Sequence, residues 1–273
     1  MTAEVPAKAV SGRRGPDAER KRDGGRSSLV WDVLQGVLAA RTAQAGRAEL
    51  DIVDVGGGTG GFAVPFAALG HRVTVVDPSP DALAAAQRRA AEMRVTLTAV
   101  QGDAGELASL VGDGAADLVI CHSVLEYVDS PAAAMAAIAR VLRPGATVSV
   151  LAANTVAAVL QRALAGRYAE ARQLLAGARG EWGTGAPHAG VSVPRRFTLD
   201  GLTTLITDAG LKPGDAHGIR VFAGLLPGAG AGSAAAAAAD PAAADELRAL
   251  EEAAAAYPAL RDIAARLHVL GHR

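Results

Sequence analysis

Between Leu50 and Gly61 an apolar run ends on Asp54 and breaks into Gly56, Gly57, Gly58, Gly60 and Gly61. Glycines let the backbone pass close to a ligand, and the apolar helix-like segment Phe62–Leu69 that follows turns a helix N-terminus toward the same point. A second apolar run, His71–Asp77, also ends in an acid. A carboxylate at that strand tip can accept hydrogen bonds from both hydroxyls of an adenosine ribose. The chemistry these residues suit is the binding of an adenosine-containing cofactor in the ligand crevice of a doubly wound α/β domain.

Two cofactors compete for the motif. Gly56, Gly58 and Gly61 satisfy G-x-G-x-x-G, with Asp77 near the spacing of a nicotinamide dinucleotide's ribose acid. Asp54, Gly56, Gly58 and Gly60 equally satisfy acid-x-Gly-x-Gly-x-Gly, the pattern of S-adenosyl-L-methionine sites. An acid ahead of the glycines suits a cationic aminoacyl end and would repel a pyrophosphate. A glycine turn that binds nothing is the third reading.

Further landmarks follow. Val95–Val100 reads as a third strand, with Asp103 and Ala104 behind it on the adenine side. Asp117–Cys121 reads as a fourth strand and runs into His122-Ser-Val-Leu-Glu-Tyr-Val-Asp-Ser-Pro131. An alanine-rich helix (132–142), a turn at Arg143-Pro-Gly145 and a fifth strand, Thr147–Leu151, complete the series. Over about Leu50 to Ala152 this ensemble resembles the class I S-adenosylmethionine-dependent methyltransferases. The resemblance implies an α/β, Rossmann-like, mostly parallel seven-stranded sheet with one antiparallel strand.

The elements that must position these residues are set in a chain of 273 residues with 27 basic and 28 acidic side chains. With a pI near 6.6, the whole molecule has no nucleic-acid footprint. The single cysteine, Cys121, forms no intrachain disulfide and suits a small apolar role in a buried strand. No apolar run approaches the roughly 20 residues that span a bilayer, and no apolar signal segment opens the chain. A cytoplasmic protein that enters no membrane is expected, and no metal site is assigned.

Residues 1–25 read as a flexible basic tail and 26–227 as the core, with a helical and loop insertion near 154–196. Residues 228–244 read as a Gly/Ala-rich linker, and 245–273 as a helix and closing strand of the same domain. Apolar spacing predicts a helix over Leu29–Ala45, laid across the sheet. Val156–Ala178 reads as one or two helices, 180–194 as a loop, 194–210 as the entry to a further helix, and Leu211–Leu225 as a strand or hairpin arm. Trp31, Trp182, Tyr127, Tyr168 and Phe197 are the aromatic candidates for base stacking, with core packing as the default.

A closer resemblance rests on His122–Pro131, Asn154–Tyr168, Gly218-Ile-Arg-Val-Phe222 and Leu267-His-Val269. These segments are similar to the bacterial tRNA 5-carboxymethoxyuridine methyltransferase group, which esterifies the carboxylate of a modified wobble uridine. The resemblance implies Arg26 close to S-adenosylmethionine, Gly56 and Gly57 in the glycine turn, Asp77 on the ribose, Asp103 on the adenine side and His122 beside the cofactor. It places Arg220 near the substrate carboxylate. The sequence departs from the group at Gly183–Gly190, which lacks that group's lysine run, and at Ala223-Gly-Leu-Leu226.

Methyl transfer from a sulfonium is an in-line displacement, so the protein must mainly align the reacting atoms. A carboxylate acceptor is ionised at neutral pH and needs no base; Arg26 or Arg220 could hold it bidentately. A hydroxyl or amine acceptor needs one, and His122 is the candidate catalytic residue, with Glu126 second. The alternatives are a cofactor-facing or capping role for His122, a surface-helix role for Glu126 and Tyr127 against substrate contact, and a surface salt bridge for Arg220. The expected partner is tRNA or a small-molecule methyl acceptor, with oligomeric state left open. A nicotinamide-dependent oxidoreductase and a non-catalytic cofactor-binding protein are the competing classes.

Overall fold

The structure, a computed structural model, describes residues 28–177, 194–225 and 241–273. Arg26, the basic tail, the loop holding Trp182 and His188, and the Gly/Ala-rich segment up to residue 240 lie outside the described residues.

The chain alternates helix and strand in the order α1 (Ser28–Ala45), β1 (Asp51–Val55), α2 (Ala63–Ala68), β2 (Arg72–Asp77), α3 (Pro80–Glu92), β3 (Thr98–Gln101), α4 (Leu107–Val111), β4 (Ala116–His122), α5 (Pro131–Val141) and β5 (Leu142–Ala153). Then come α6 (Thr155–Leu164), α7 (Tyr168–Gly177), α8 (Leu199–Asp208), β6 (Lys212–Ile219), α9 (Pro241–Ala255), α10 (Pro258–Arg261) and β7 (Arg266–His272). One seven-stranded sheet runs β3-β2-β1-β4-β5-β7-β6. β7 is antiparallel to both its neighbours and the rest are parallel. No described helix is long and apolar enough to cross a membrane.

Strand β4 is buried from Ala116 through Cys121, as a central parallel strand covered on both faces must be. On one face Val30, Leu34 and Leu38 of α1 and Phe66 of α2 pack over Ile52, Val73, Val75, Leu118 and Ile120. On the other, α4, α5 and α8 cover Val53, Val119, Val148 and Val269. Trp31 stacks on Phe66 with ring centroids 4.6 Å apart, and Phe197 is buried, so both are core residues. Cys121 is buried too, and burial pushes its thiol up.

Caps written in the sequence fix where helices start. Ser79 and Ser130 accept the Ala82 and Ala133 N–H groups ahead of Pro80 and Pro131, the serine–proline start that satisfies one orphan donor and needs no N–H at the first turn. Two expectations are corrected. The third strand begins at Thr98, because Arg94 takes a left-handed φ of 57° and the chain turns there. The Arg143-Pro-Gly145 turn is absorbed into β5 as a bulge: pairing jumps from Ala116–Leu142 to Leu118–Thr147, with Gly145 at φ 76°. The extra residues loop out without ending the strand.

Candidate functional site

Parallel strands align their C-terminal ends along one edge, and β1, β2 and β4 end there on Val55, Asp77 and His122. The glycine turn leaves β1 at Gly56, whose N–H bonds the Val76 carbonyl at 2.7 Å. Gly56, Gly58 and Gly60 have φ of 63°, 53° and 78°, which glycine reaches without strain. A Cβ on Gly56 would collide with Val124, and one on Gly57 would sit 2.7 Å from the Asp54 carboxylate. Gly56 and Gly57 are thus closed to side chains and present bare backbone.

Asp77 grips this turn from the next strand. Its Oδ2 accepts the Gly58 N–H and its Oδ1 the Ser79 N–H, both at 2.9 Å. Each oxygen keeps a free lone pair, so the carboxylate can hold the turn and still receive two hydroxyls. Asp54 is 3% exposed. Burial pushes its carboxyl up to about 7, opposed by the Ala63 N–H and reinforced by the Asp77 charge. A desolvated acid of this kind regains its charge when a cation is placed beside it. The cradle therefore fits a ligand with a vicinal diol and a cationic end.

At the tip of β4, His122 meets Phe62 edge-to-face, centroids 4.9 Å apart, beside the glycine turn. Its Nε2 lies 2.7 Å from Ser149 Oγ on β5, and Ser149 Oγ lies 2.8 Å from His268 Nε2 on β7. His268 stacks on His217 of β6 at 5.6 Å. The Nδ1 atoms of all three histidines are buried without a hydrogen-bond partner. Burial drives each imidazole below its ordinary range, His268 to about 3.

The loop after β4 begins at Ser123, held at a left-handed φ of 58° with its hydroxyl bonded by Arg266. Such strain in a non-glycine residue gathers at functional sites. Glu126 is buried, not on a helix surface as one expectation had it. Its Oε1 accepts the Ala153 N–H at 2.9 Å, its Oε2 has no partner, and burial raises its pKa. Arg195 donates to the Val128 and Asp129 carbonyls and pins the loop. Arg196, half-buried, feels the charges of Arg162, Tyr127 and Glu126.

The structure brings together Asp54, Gly56, Gly57, Gly58, Gly60, Asp77 and His122. Asp103 stands exposed beyond β3, with Ala104 buried behind it. Tyr127 is 70% exposed. Arg220 follows β6 at φ 60°, its carbonyl accepting the Gly224 and Ala265 N–H groups. Sequence reasoning missed Ser149, His268, His217, Arg196 and Arg266. Ser149 and His268 had one signal, a polar side chain buried in an otherwise apolar strand stretch; His217, on the polar outer strand β6, had none.

A family model described as a methyltransferase domain matches residues 53–150, the stretch from β1 through β5. The chain is 30% identical over 149 residues to the tRNA 5-carboxymethoxyuridine methyltransferase of Escherichia coli, covering 52% of this chain and 54% of that enzyme. It is 35% identical over 133 residues to the ubiquinone biosynthesis O-methyltransferase of Methylococcus capsulatus, covering 49% and 53%. The chain thus spans about half the length of the curated relatives it matches. Among solved structures, an S-adenosylmethionine-dependent methyltransferase from Mesorhizobium loti superposes with a TM-score of 0.50 at 20% identity, covering 87% of this chain and 96% of that one. The [4+2]-cyclase SpnF superposes with a TM-score of 0.57 at 20% identity, covering 93% and 85%. Residues 53–150 match a methyltransferase domain, and the chain carries the fold of the class I S-adenosylmethionine-dependent methyltransferases.

Proposed function

We propose that the protein transfers a methyl group from S-adenosyl-L-methionine to an oxygen atom of its acceptor. The observation that carries this reading is the glycine turn, closed to side chains at Gly56 and Gly57, held between a desolvated Asp54 and an Asp77 with lone pairs to spare. Asp77 would bind the ribose hydroxyls, Asp103 and Ala104 would border the adenine, and Asp54 would face the cationic aminoacyl end. The cofactor supplies an electrophilic methyl carbon on a sulfonium. The residues at the strand tips keep the acceptor in line with it, which is most of what such a displacement asks of a protein.

Two acceptor classes fit. Similarity to the tRNA enzyme supports a carboxylate, as on a modified wobble uridine; the half-buried Arg196, near enough to Tyr127 to feel it, favours an anion there. Similarity to the ubiquinone enzyme supports a hydroxyl on a small molecule, and a neutral His122 at the tip of β4 favours it, since a hydroxyl must lose its proton.

Calorimetry with S-adenosylhomocysteine and NAD tests the cofactor half: tight binding of the first and none of the second is expected. Transfer of labelled methyl from S-adenosylmethionine to catechol and to 5-carboxymethoxyuridine tests the other half. Binding of NAD alone would overturn the reading in favour of an oxidoreductase.

A further inference from the structure

The hydrogen bonds around Ser149 impose an arithmetic. Its hydroxyl carries one proton, yet it bridges two imidazole nitrogens, His122 Nε2 at 2.7 Å and His268 Nε2 at 2.8 Å. One ring must therefore donate and the other accept, so the two histidines are opposite tautomers. If His122 donates, its Nδ1 is a bare acceptor and His268 carries its proton on Nδ1. If His268 donates, the pattern reverses. Ser149 and His268 are both fully buried, where a satisfied polar chain is rigid and an unsatisfied one costly.

The chain has direction. His122, Ser149, His268 and His217 come from β4, β5, β7 and β6, four consecutive strands of the sheet. At about 4.8 Å per strand they cross about 14 Å, from the glycine turn to the outer strand, where His217 is half-buried. Both ends finish in buried ring nitrogens without a hydrogen-bond partner among the described residues. The charged groups facing the chain are Arg266 at His122, and Asp215 and Arg261 at His217.

We propose that His122, Ser149 and His268 form a proton relay from the methyl-transfer site to the β6 edge, and that the acceptor is a hydroxyl, which loses its proton through the relay as it is methylated. This rests on the methyltransferase reading and selects between its two acceptors. The acceptor oxygen forms its bond to the methyl carbon as the sulfur–methyl bond breaks, its electron pair staying on sulfur in the departing S-adenosylhomocysteine, while the acceptor's O–H bond breaks toward His122 Nδ1. His122 passes its Nε2 proton to Ser149 Oγ, Ser149 passes its own to His268 Nε2, and His268 gives up the Nδ1 proton on the side of the stacked, half-buried His217. No imidazolium persists in the interior, so burial, which makes each ring a poor cation, does not oppose the transfer. When product leaves, His122 gives its Nδ1 proton to water at the opened site and His268 regains one at the edge. His122 is the catalytic residue, and Ser149 and His268 act through it.

The test has two arms. Long-range proton–nitrogen NMR spectra of histidine-labelled protein should show opposite tautomers for His122 and His268. His268→Gln should shift the His122 nitrogens, but not when Ser149→Ala is also present. Identical tautomers, or a His122 indifferent to His268, would overturn the relay. In turnover with catechol, Ser149→Ala should lose about 100-fold, the lower range for a proton-transfer group, with S-adenosylhomocysteine affinity unchanged and the solvent deuterium isotope effect altered. Ser149→Thr, which restores a hydroxyl, should recover the rate. An unaffected Ser149→Ala rate, or methylation of 5-carboxymethoxyuridine with none of catechol, sinks the relay and leaves the methyltransferase reading standing. Failure of the wild type to bind S-adenosylhomocysteine sinks that reading instead. If neither acceptor is methylated, the spectra decide the relay.

Discussion

Asp77 and Gly58 are joined across two strands: the carboxylate at the tip of β2 accepts the backbone N–H of the turn that leaves β1, at 2.9 Å. The acid proposed to bind the ribose is thus also the clamp on the glycine turn. Asp77→Ala should weaken S-adenosylmethionine binding by about 1.5–3 kcal/mol, the scale of hydrogen bonds to a charged group. The melting temperature should also fall, because the Gly58 and Ser79 N–H groups lose their acceptor. Titration calorimetry checks the first and thermal melts the second; unchanged affinity would place the ribose acid elsewhere.

The placement of Asp77 at the strand tip was visible in the sequence, and its clamp on the turn was not. An acid closing an apolar run is a strand-tip signal, and it marked Asp54 and Asp77 because both the strand period and the following glycine turn are local. The parallel sheet was legible for the same reason. Glu126 was not: its backbone neighbours suggest an exposed helix, and only the non-local approach of Ala153 and Arg195 buries its carboxylate. His268 lies over a hundred residues from His122, and nothing in its own segment reveals that β7 inserts between β5 and β6.

Asp54 predicts a proton signature for cofactor binding. Burial holds its carboxyl at about 7 in the protein alone, and a cationic ligand end beside it favours the ionised form. Binding of S-adenosylmethionine should therefore release a proton at and below about pH 7, and affinity should weaken as pH falls further. Calorimetry in buffers of different ionisation enthalpy reads the proton count directly. Asp54→Asn should abolish the release and weaken binding without lowering the ligand-free melting temperature, because a raised acid costs the folded state stability above its unfolded pKa. Binding with no proton exchange in the wild type would mean that no cationic group lies next to Asp54.

At the opposite edge of the sheet, Asp117 accepts hydrogen bonds from the Arg41, Arg47 and Arg143 guanidiniums and from the Asp51 N–H. Burial alone would raise its pKa, but the Asp51 N–H and the Arg143, Arg41 and Arg47 charges together hold it below the usual carboxylate range. Removing one partner of such a buried cluster costs about 3–5 kcal/mol, and the partly exposed arginines put this case near the low end. Asp117→Ala should therefore lower stability by about 3 kcal/mol in denaturant titration while S-adenosylhomocysteine affinity per folded molecule stays the same. A change in affinity without a change in stability would show coupling between the two edges.

The buried histidines make stability acid-sensitive, with a definite sign. His268 is held at about 3 against an unfolded value near 6.5, so below about pH 6.5 the unfolded chain binds more protons than the folded one. Stability is then lost as pH falls from about 6.5 toward 3 and is indifferent to this group above that range. His122 and His217, also lowered by burial, act in the same direction. Melting temperature should drop between about pH 6.5 and 5, before most carboxylates titrate. His268→Gln, which keeps a polar partner for Ser149 but cannot titrate, should flatten that part of the curve. A variant as acid-sensitive as the wild type would locate the titrating group at a residue other than His268.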